Sequence, residues 1–125
     1  MRVFKTRWFD RWAAKEELSA QALETAIAEI AQGLIDAQLG GQIVKKRIGV
    51  GGRGKSGGIR TIVAFKVSDK AFFLYGFAKN QRDNIDEKEL KALKLLASHL
   101  LEYDQKALDK ALKAQELVEV IYEKT

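Results

Sequence analysis

Apolar residues recur at helical spacing toward both ends of the chain and at strand spacing in its middle. Val3 to Lys5 is a short apolar–polar run that predicts an edge strand. Thr6 can cap a first helix reaching about Lys15, with Phe9, Trp12 and Ala13 on one face. Trp8, one turn before Trp12, reads as packing beside it. Ser19 caps a second helix, Leu18 and Leu23 have the spacing of a hydrophobic staple, and Leu23, Ile27, Ile30 and Leu34 make its stripe. Gly40-Gly41 ends that segment. The period then changes. Ile43 to Ile48 predicts a strand with cations on both faces. Gly49 to Gly58 predicts a mobile loop, and Ile59–Lys66 with Ala71–Ala78 predicts a hairpin around Val67-Ser68-Asp69-Lys70. Helical spacing returns after Asp86, which with Glu89 has the form of a capping box, flanked by the staple pair Ile85 and Leu90. Leu90, Leu93, Leu96, Ala97 and Leu100 are the expected buried face. His99 in this leucine-rich stretch reads as structural. Asp104 caps a further helix carrying Leu108 and Leu112, and Leu117 to Tyr122 allows a last strand.

The predicted order is β-α-α-β-β-β-α-α with that optional final strand. Consecutive strands favour an antiparallel sheet, so the fold class is α+β, with the N-terminal helix pair and the C-terminal helices packed on one side of the sheet. At 125 residues, residues 1–125 are expected to form one domain, with 102–125 carrying the weakest pattern. A hydrophobic share of 46% beside 31% charged residues is that of a globular chain rather than a disordered one. The absence of cysteine excludes disulfides and thiolate metal sites, and one histidine leaves no set for a His-based zinc site. No metal or other cofactor is expected. No apolar run approaches the roughly 20 residues of a membrane span. Met1-Arg2-Val3-Phe4-Lys5 turns polar too early for a signal peptide, so a cytoplasmic protein is the default expectation.

Charge sharpens the picture through its placement. The net charge is +5, but the 32-residue window from Ala37 to Ser68 contains no Asp or Glu and holds Lys45, Lys46, Arg47, Arg53, Lys55, Arg60 and Lys66. Such segregation is what a polyanion site requires. Gly49-Val50-Gly51-Gly52-Arg53-Gly54-Lys55-Ser56 also matches the phosphate-binding pattern G-x-x-x-x-G-K-[ST]. That pattern works only where a helix starts at its Lys-Ser and aims free N–H groups at the phosphate. Here Gly57-Gly58 and a β-branched run come next, so the segment reads as a cationic loop rather than a nucleotide cradle. If Ile59–Lys66 pairs with Ala71–Ala78, Arg60 lies near Ala78-Lys79, and the loop shares one end of the sheet with Lys79 and Arg82. Tyr75 and Lys79 have the same parity and are expected on one face.

The segments Lys45-Lys46-Arg47-Ile48, Gly54-Lys55-Ser56-Gly57-Gly58-Ile59-Arg60-Thr61, Phe72-Phe73-Leu74-Tyr75-Gly76-Phe77-Ala78-Lys79-Asn80 and Arg82-Asp83-Asn84-Ile85 resemble the RelE/HigB group of type II toxin–antitoxin toxins. The resemblance runs from Met1 to about Leu101. It implies a small α+β ribonuclease fold and metal-independent cleavage of mRNA on the ribosome, in which the ribose 2′-OH attacks the adjacent phosphate. Carried over by segment, it implies catalytic roles for Arg60, Lys79, Arg82 and Lys46. Arg60 would stabilise the phosphate in the transition state. Crowded like charge would suit Lys46 or Lys79 to general-base work. Substrate contacts would come from Lys45, Arg47, Arg53, Lys55 and Tyr75, the last by stacking or proton transfer. The partners implied are mRNA and a cognate antitoxin, of helix-turn-helix type by analogy with HigB-like systems. Two alternatives remain open from sequence. One is a ParE-like inhibitor of gyrase without nuclease activity, and the other is a non-catalytic nucleic-acid-binding module.

Overall fold

The computed structural model describes residues 1–49 and 58–121. Along the chain the elements are β1 (Arg2–Thr6), α1 (Arg7–Lys15), α2 (Ala20–Ala31), β2 (Ala37–Gly40), β3 (Ile43–Ile48), β4 (Ile59–Lys66), β5 (Lys70–Ala78), α3 (Glu87–Leu101), α4 (Gln105–Lys113) and β6 (Leu117–Glu119). Each helix starts where a short polar side chain accepts a backbone N–H: Thr6 from Phe9, Ser19 from Ala22, Asp86 from Glu89 and Asp104 from Ala107. At Asp86 the capping box is complete in both directions. None of these helices is long and apolar enough to cross a membrane, among the described residues.

The strands form one sheet in the order β2-β3-β4-β5-β1-β6. Neighbours are antiparallel except β1 and β5, which run parallel. The first strand is therefore not at an edge. It is held between β5 and β6, and Val120 closes on it through a 2.8 Å backbone hydrogen bond to Val3. The short edge strand β2 is an addition to the expected order. Its four residues lack a β-branched side chain, and it exists through pairing with β3. The second helix ends at Ala31, which leaves Leu34 outside it and 53% exposed rather than in the apolar stripe.

Helices cover both faces of the sheet, not one. On the first face Phe9 and Ala13 of α1 and Leu23, Ala26, Ile27 and Ile30 of α2 pack with Val3, Val44, Ile59, Val63 and Phe73. On the second, Ala97, Leu100 and Leu101 of α3 and Leu108 and Ala111 of α4 pack with Phe4, Ile43, Ile62, Phe72 and Leu74. The physical reason is visible in β4, where every residue from Ile59 to Ala64 is buried. A strand with one wet face alternates; an unbroken buried run means that both faces are covered. Of the expected buried face of α3, Ala97 and Leu100 are inside and Leu93 packs against the same cluster, with Leu101 added, whereas Leu96 is 38% exposed.

Two irregularities shape the end of the sheet where β3 closes on β4. Ile62 lies opposite Tyr75 but Val63 lies opposite Phe73, so Leu74 is an extra residue, a β-bulge. The bulge restores Tyr75 and Phe77 to the same face as Ile62 and Arg60. Further, β1 pairs with β5 only as far as Lys5 and Phe73, so Tyr75 to Ala78 run on past its end. Helix α1 fills that step. The Trp8 ring stacks on Tyr75 with centroids 4.5 Å apart, and Trp12 lies directly over Gly76. A Cβ at Gly76 would sit 2.2 Å from Cζ3 of the Trp12 indole. Gly76→Ala is therefore expected to push the indole out and to cost about 1–3 kcal/mol, the usual range for overpacking. The check is a lowered midpoint of chemical unfolding together with a changed tryptophan emission spectrum in the native state.

Candidate nucleic-acid interface

Register brings the basic positions together. Arg47 of β3 lies directly opposite Arg60 of β4, which lies opposite Phe77 of β5. In the next row Lys45 lies opposite Ile62, which lies opposite Tyr75. Residues facing each other across strands share a face, so Lys45, Arg47, Arg60, Tyr75 and Phe77 occupy one corner of the second face. Arg82 joins them from the segment after β5. Its guanidinium carbon stands 5.6 Å from the centre of the Phe77 ring, and its Nη1 reaches the Tyr75 hydroxyl at 3.4 Å.

Two carboxylates hold this corner. Asp36, whose N–H donates to Lys45 O at 2.8 Å, accepts from Arg47 Nε at 3.1 Å and lies 3.8 Å from Arg60 Nε. Glu89, the third residue of the α3 capping box, takes both terminal nitrogens of Arg82, one of them at 2.9 Å. The Arg82 guanidinium and, after it, the Asp86 backbone N–H hold the Glu89 carboxyl at about 2, and Glu89 in turn raises Arg82. Sequence reasoning missed both acids as members of a site. Asp36 leaves a faint signal, since it is the last acid before the acid-free window; Glu89 has only the signature of a cap.

Arg60 differs from its neighbours. It is 8% exposed, and its Nη1 is buried with no hydrogen-bond partner among the described residues. Such a donor, away from water, costs about 1–3 kcal/mol until something accepts from it. Lys46 is where the geometry departs from expectation. It lies opposite Thr61, on the other face of the sheet from Arg60. There its ammonium, 5% exposed as a residue, donates to Leu34 O at 2.8 Å and pairs with Glu29 of α2 at 2.9 Å. The structure thus separates Lys46 from the arginines, because strand neighbours alternate between faces. Lys79 lies exposed one residue past β5, at the same end of the sheet, and its side chain makes no hydrogen bond or ion pair among the described residues. Arg53 and Lys55 lie outside the described residues, as does most of the G-x-x-x-x-G-K-S segment. Strand β4 begins at Ile59, which pairs with Ile48.

A family model described as the RelE toxin of the RelE/RelB toxin–antitoxin system matches residues 1–120. The chain belongs to the RelE toxin family. No curated protein matches it at a significant level. Membership of the RelE family implies an antitoxin partner. The match reaches past Leu101 to include α4 and β6, whose Leu108, Ala111 and Leu117 pack in the core on the second face of the sheet while Val120 packs on the first.

The ion pairs can be tested separately. Because the Glu89 carboxyl is depressed, its contribution to stability is complete above the ordinary carboxylate range, near pH 4.5, and is lost as the pH falls toward 2. Thermal midpoints of the wild type and Glu89→Gln should therefore differ above pH 5 and converge in acid. Lys46→Ala should destabilise the protein by about 3 kcal/mol, as breaking a buried ion pair does. Denaturant unfolding checks this, and a wild-type stability would show that the pair is dispensable.

Proposed function

We propose that this RelE-family toxin is a metal-independent mRNA endonuclease that acts during translation and is restrained by its antitoxin, of the helix-turn-helix type. The observation that carries the reading is the buried, unsatisfied Nη1 of Arg60 in a corner shared with Lys45, Arg47 and Arg82. A phosphodiester oxygen supplies the missing acceptor and the opposite charge together. Charge-assisted hydrogen bonds from arginine to phosphate are strong and directional. In the reaction the ribose 2′-OH loses its proton and attacks the neighbouring phosphorus. The P–O5′ bond breaks, leaving a 2′,3′-cyclic phosphate on one product and a 5′-OH on the other. Negative charge grows on the non-bridging oxygens, where a preorganised cation lowers the barrier most.

Position sets the roles. Arg60 stabilises the phosphate in the transition state. Arg82, fixed over Phe77 and held by Glu89, presents a second cation to the same group. Lys45 and Arg47 take the flanking phosphates, and Arg53 and Lys55 add substrate contacts. Tyr75 offers its ring to a base and its hydroxyl to proton transfer. Of the two lysines suited to general-base work, Lys79 is at this end of the sheet, and it takes that role; Lys46 supports the strand from behind.

The test is cleavage of a translated mRNA in a reconstituted system, read by primer extension and by product end-group analysis. Wild-type protein should cut and leave 2′,3′-cyclic phosphate ends. Arg60→Ala should fall by about 10²–10³-fold while keeping the wild-type unfolding midpoint within a few degrees, the range for loss of one oxyanion-stabilising group. An Arg60→Ala protein that cuts at the wild-type rate would overturn the assignment.

A further inference from the structure

Helix α1 carries a second cationic and aromatic surface that the cleavage centre does not use. Trp8, Arg11, Trp12 and Lys15 recur at i, i+3, i+4 and i+7, one face of the helix, and with Arg7 they line an open cleft of about 320 Å³. The adjoining face, Phe9 and Ala13, is buried in the core, and Trp12 packs against it with its ring 5.4 Å from that of Phe9. Packing accounts for Trp12 but leaves much of the Trp8 indole open to solvent. Trp8 is 46% exposed, and its ring is nearly parallel to Trp12 at 5.9 Å and to Tyr75 at 4.5 Å. Arg7 is engaged, donating to Gln115 O and Ala114 O behind α4. The nearest acid on this helix, Asp10, is paired with Lys5 at 2.8 Å. Arg11 and Lys15 are exposed, and neither makes a hydrogen bond or ion pair among the described residues. Two free cations thus stand one turn apart over an aromatic floor.

That floor is continuous with the cleavage centre. Trp8 stacks on Tyr75, and the Tyr75 hydroxyl accepts from Arg82 Nη1. Cations beside stacked aromatics match an unpaired nucleic-acid strand, whose bases stack in any sequence and whose phosphates take the charge. An acidic peptide would satisfy Arg11 and Lys15 but would leave the indoles without a partner of matching shape. We propose that the Trp8–Arg11–Trp12–Lys15 face of α1 is a second binding site for single-stranded RNA, which holds the substrate strand beside the scissile phosphate. A base packs against the indoles, and Arg11 and Lys15 contact adjoining phosphates. The inference rests on the endonuclease reading for the identity of the ligand.

The chain has two tryptophans and both line this cleft, so their fluorescence reports on it without a label. The probe is a single-stranded oligoribonucleotide with every 2′-OH methylated, which binds but has no nucleophile. Titrated into wild-type and Arg60→Ala protein, it should quench the tryptophan emission saturably in both. The double variant Arg11→Ala/Lys15→Ala, whose changed side chains are exposed, should bind about tenfold more weakly. Its salt dependence should fall by a log–log slope of about 1.4, the value for two lost contacts to a single strand. Binding seen by anisotropy with unchanged tryptophan emission, or a double variant with wild-type affinity and slope, would overturn the proposal even if mRNA is still cut. Saturable, Arg11- and Lys15-dependent quenching without mRNA cleavage would uphold the site and remove the nuclease reading. Loss of both would remove both. A double variant that binds RNA normally but escapes its antitoxin would assign the face to a protein partner instead and overturn the proposal.

Discussion

Two arginines directly opposite each other on paired strands repel, and the site depends on how this sheet tolerates Arg47 beside Arg60. The register cannot slip to separate them. A shift of one residue would carry Ile59, Val63, Ile62 and Ala64 to the wrong faces, and both faces are packed. The hydrophobic alternation of β3, β4 and β5 thus fixes the cations in place against their own repulsion. Asp36 relieves part of it by bridging toward both arginines from the edge of β2. The relief is incomplete, since one terminal nitrogen of Arg60 has no acceptor among the described residues. A corner that stays short of negative charge while its backbone is held rigid is the basis of the proposed phosphate site.

The aromatic step at the end of β1 is the counterpart of that constraint. Because β1 stops at Thr6, the last third of β5 would present an open edge and a bare face. Trp8 and Trp12 fill the gap, which requires Gly76 beneath Trp12 and turns Tyr75 toward Trp8. The same step leaves Phe77 free to carry Arg82 on its ring. Packing and charge are therefore one arrangement. The aromatics that close the sheet also set the positions of the cations beside it.

Much of this is legible in the chain, and the reasons differ by residue. The caps at Thr6, Ser19, Asp86 and Asp104 are local chemistry, so sequence shows them directly. Arg60 beside the end of β5 comes from the hairpin, again a short-range inference. The place of β1 is not legible, because its neighbours, β5 and β6, are more than 60 residues away and nothing in Arg2–Thr6 specifies them. The unbroken run Ile59–Ala64 is the trace that helices on both faces leave, but taken alone it indicates only a strand. The bulge at Leu74 has no signature, yet it decides which face Tyr75 occupies. Lys46 shows the limit most clearly. Composition groups it with Lys45 and Arg47, but alternation along a strand sends it through the sheet to Glu29.

The resident carboxylates also order the cations by availability. Arg82 lowers the Glu89 carboxyl to about 2, so at physiological pH Glu89 stays ionised and paired with Arg82, and on the proposed reading a phosphate shares that guanidinium with it. Arg47 is likewise engaged through Nε by Asp36. Arg60 meets Asp36 only at 3.8 Å, longer than a hydrogen bond, and retains a buried donor. Held by their acids, Arg82 and Arg47 keep fixed orientations. On the proposed reading Arg60, among the described arginines of this corner, gains both a hydrogen bond and a counter-charge when an anion arrives. The proposed gain from seating a phosphate in this corner thus falls chiefly on Arg60, which the strand register holds between Arg47 and Phe77.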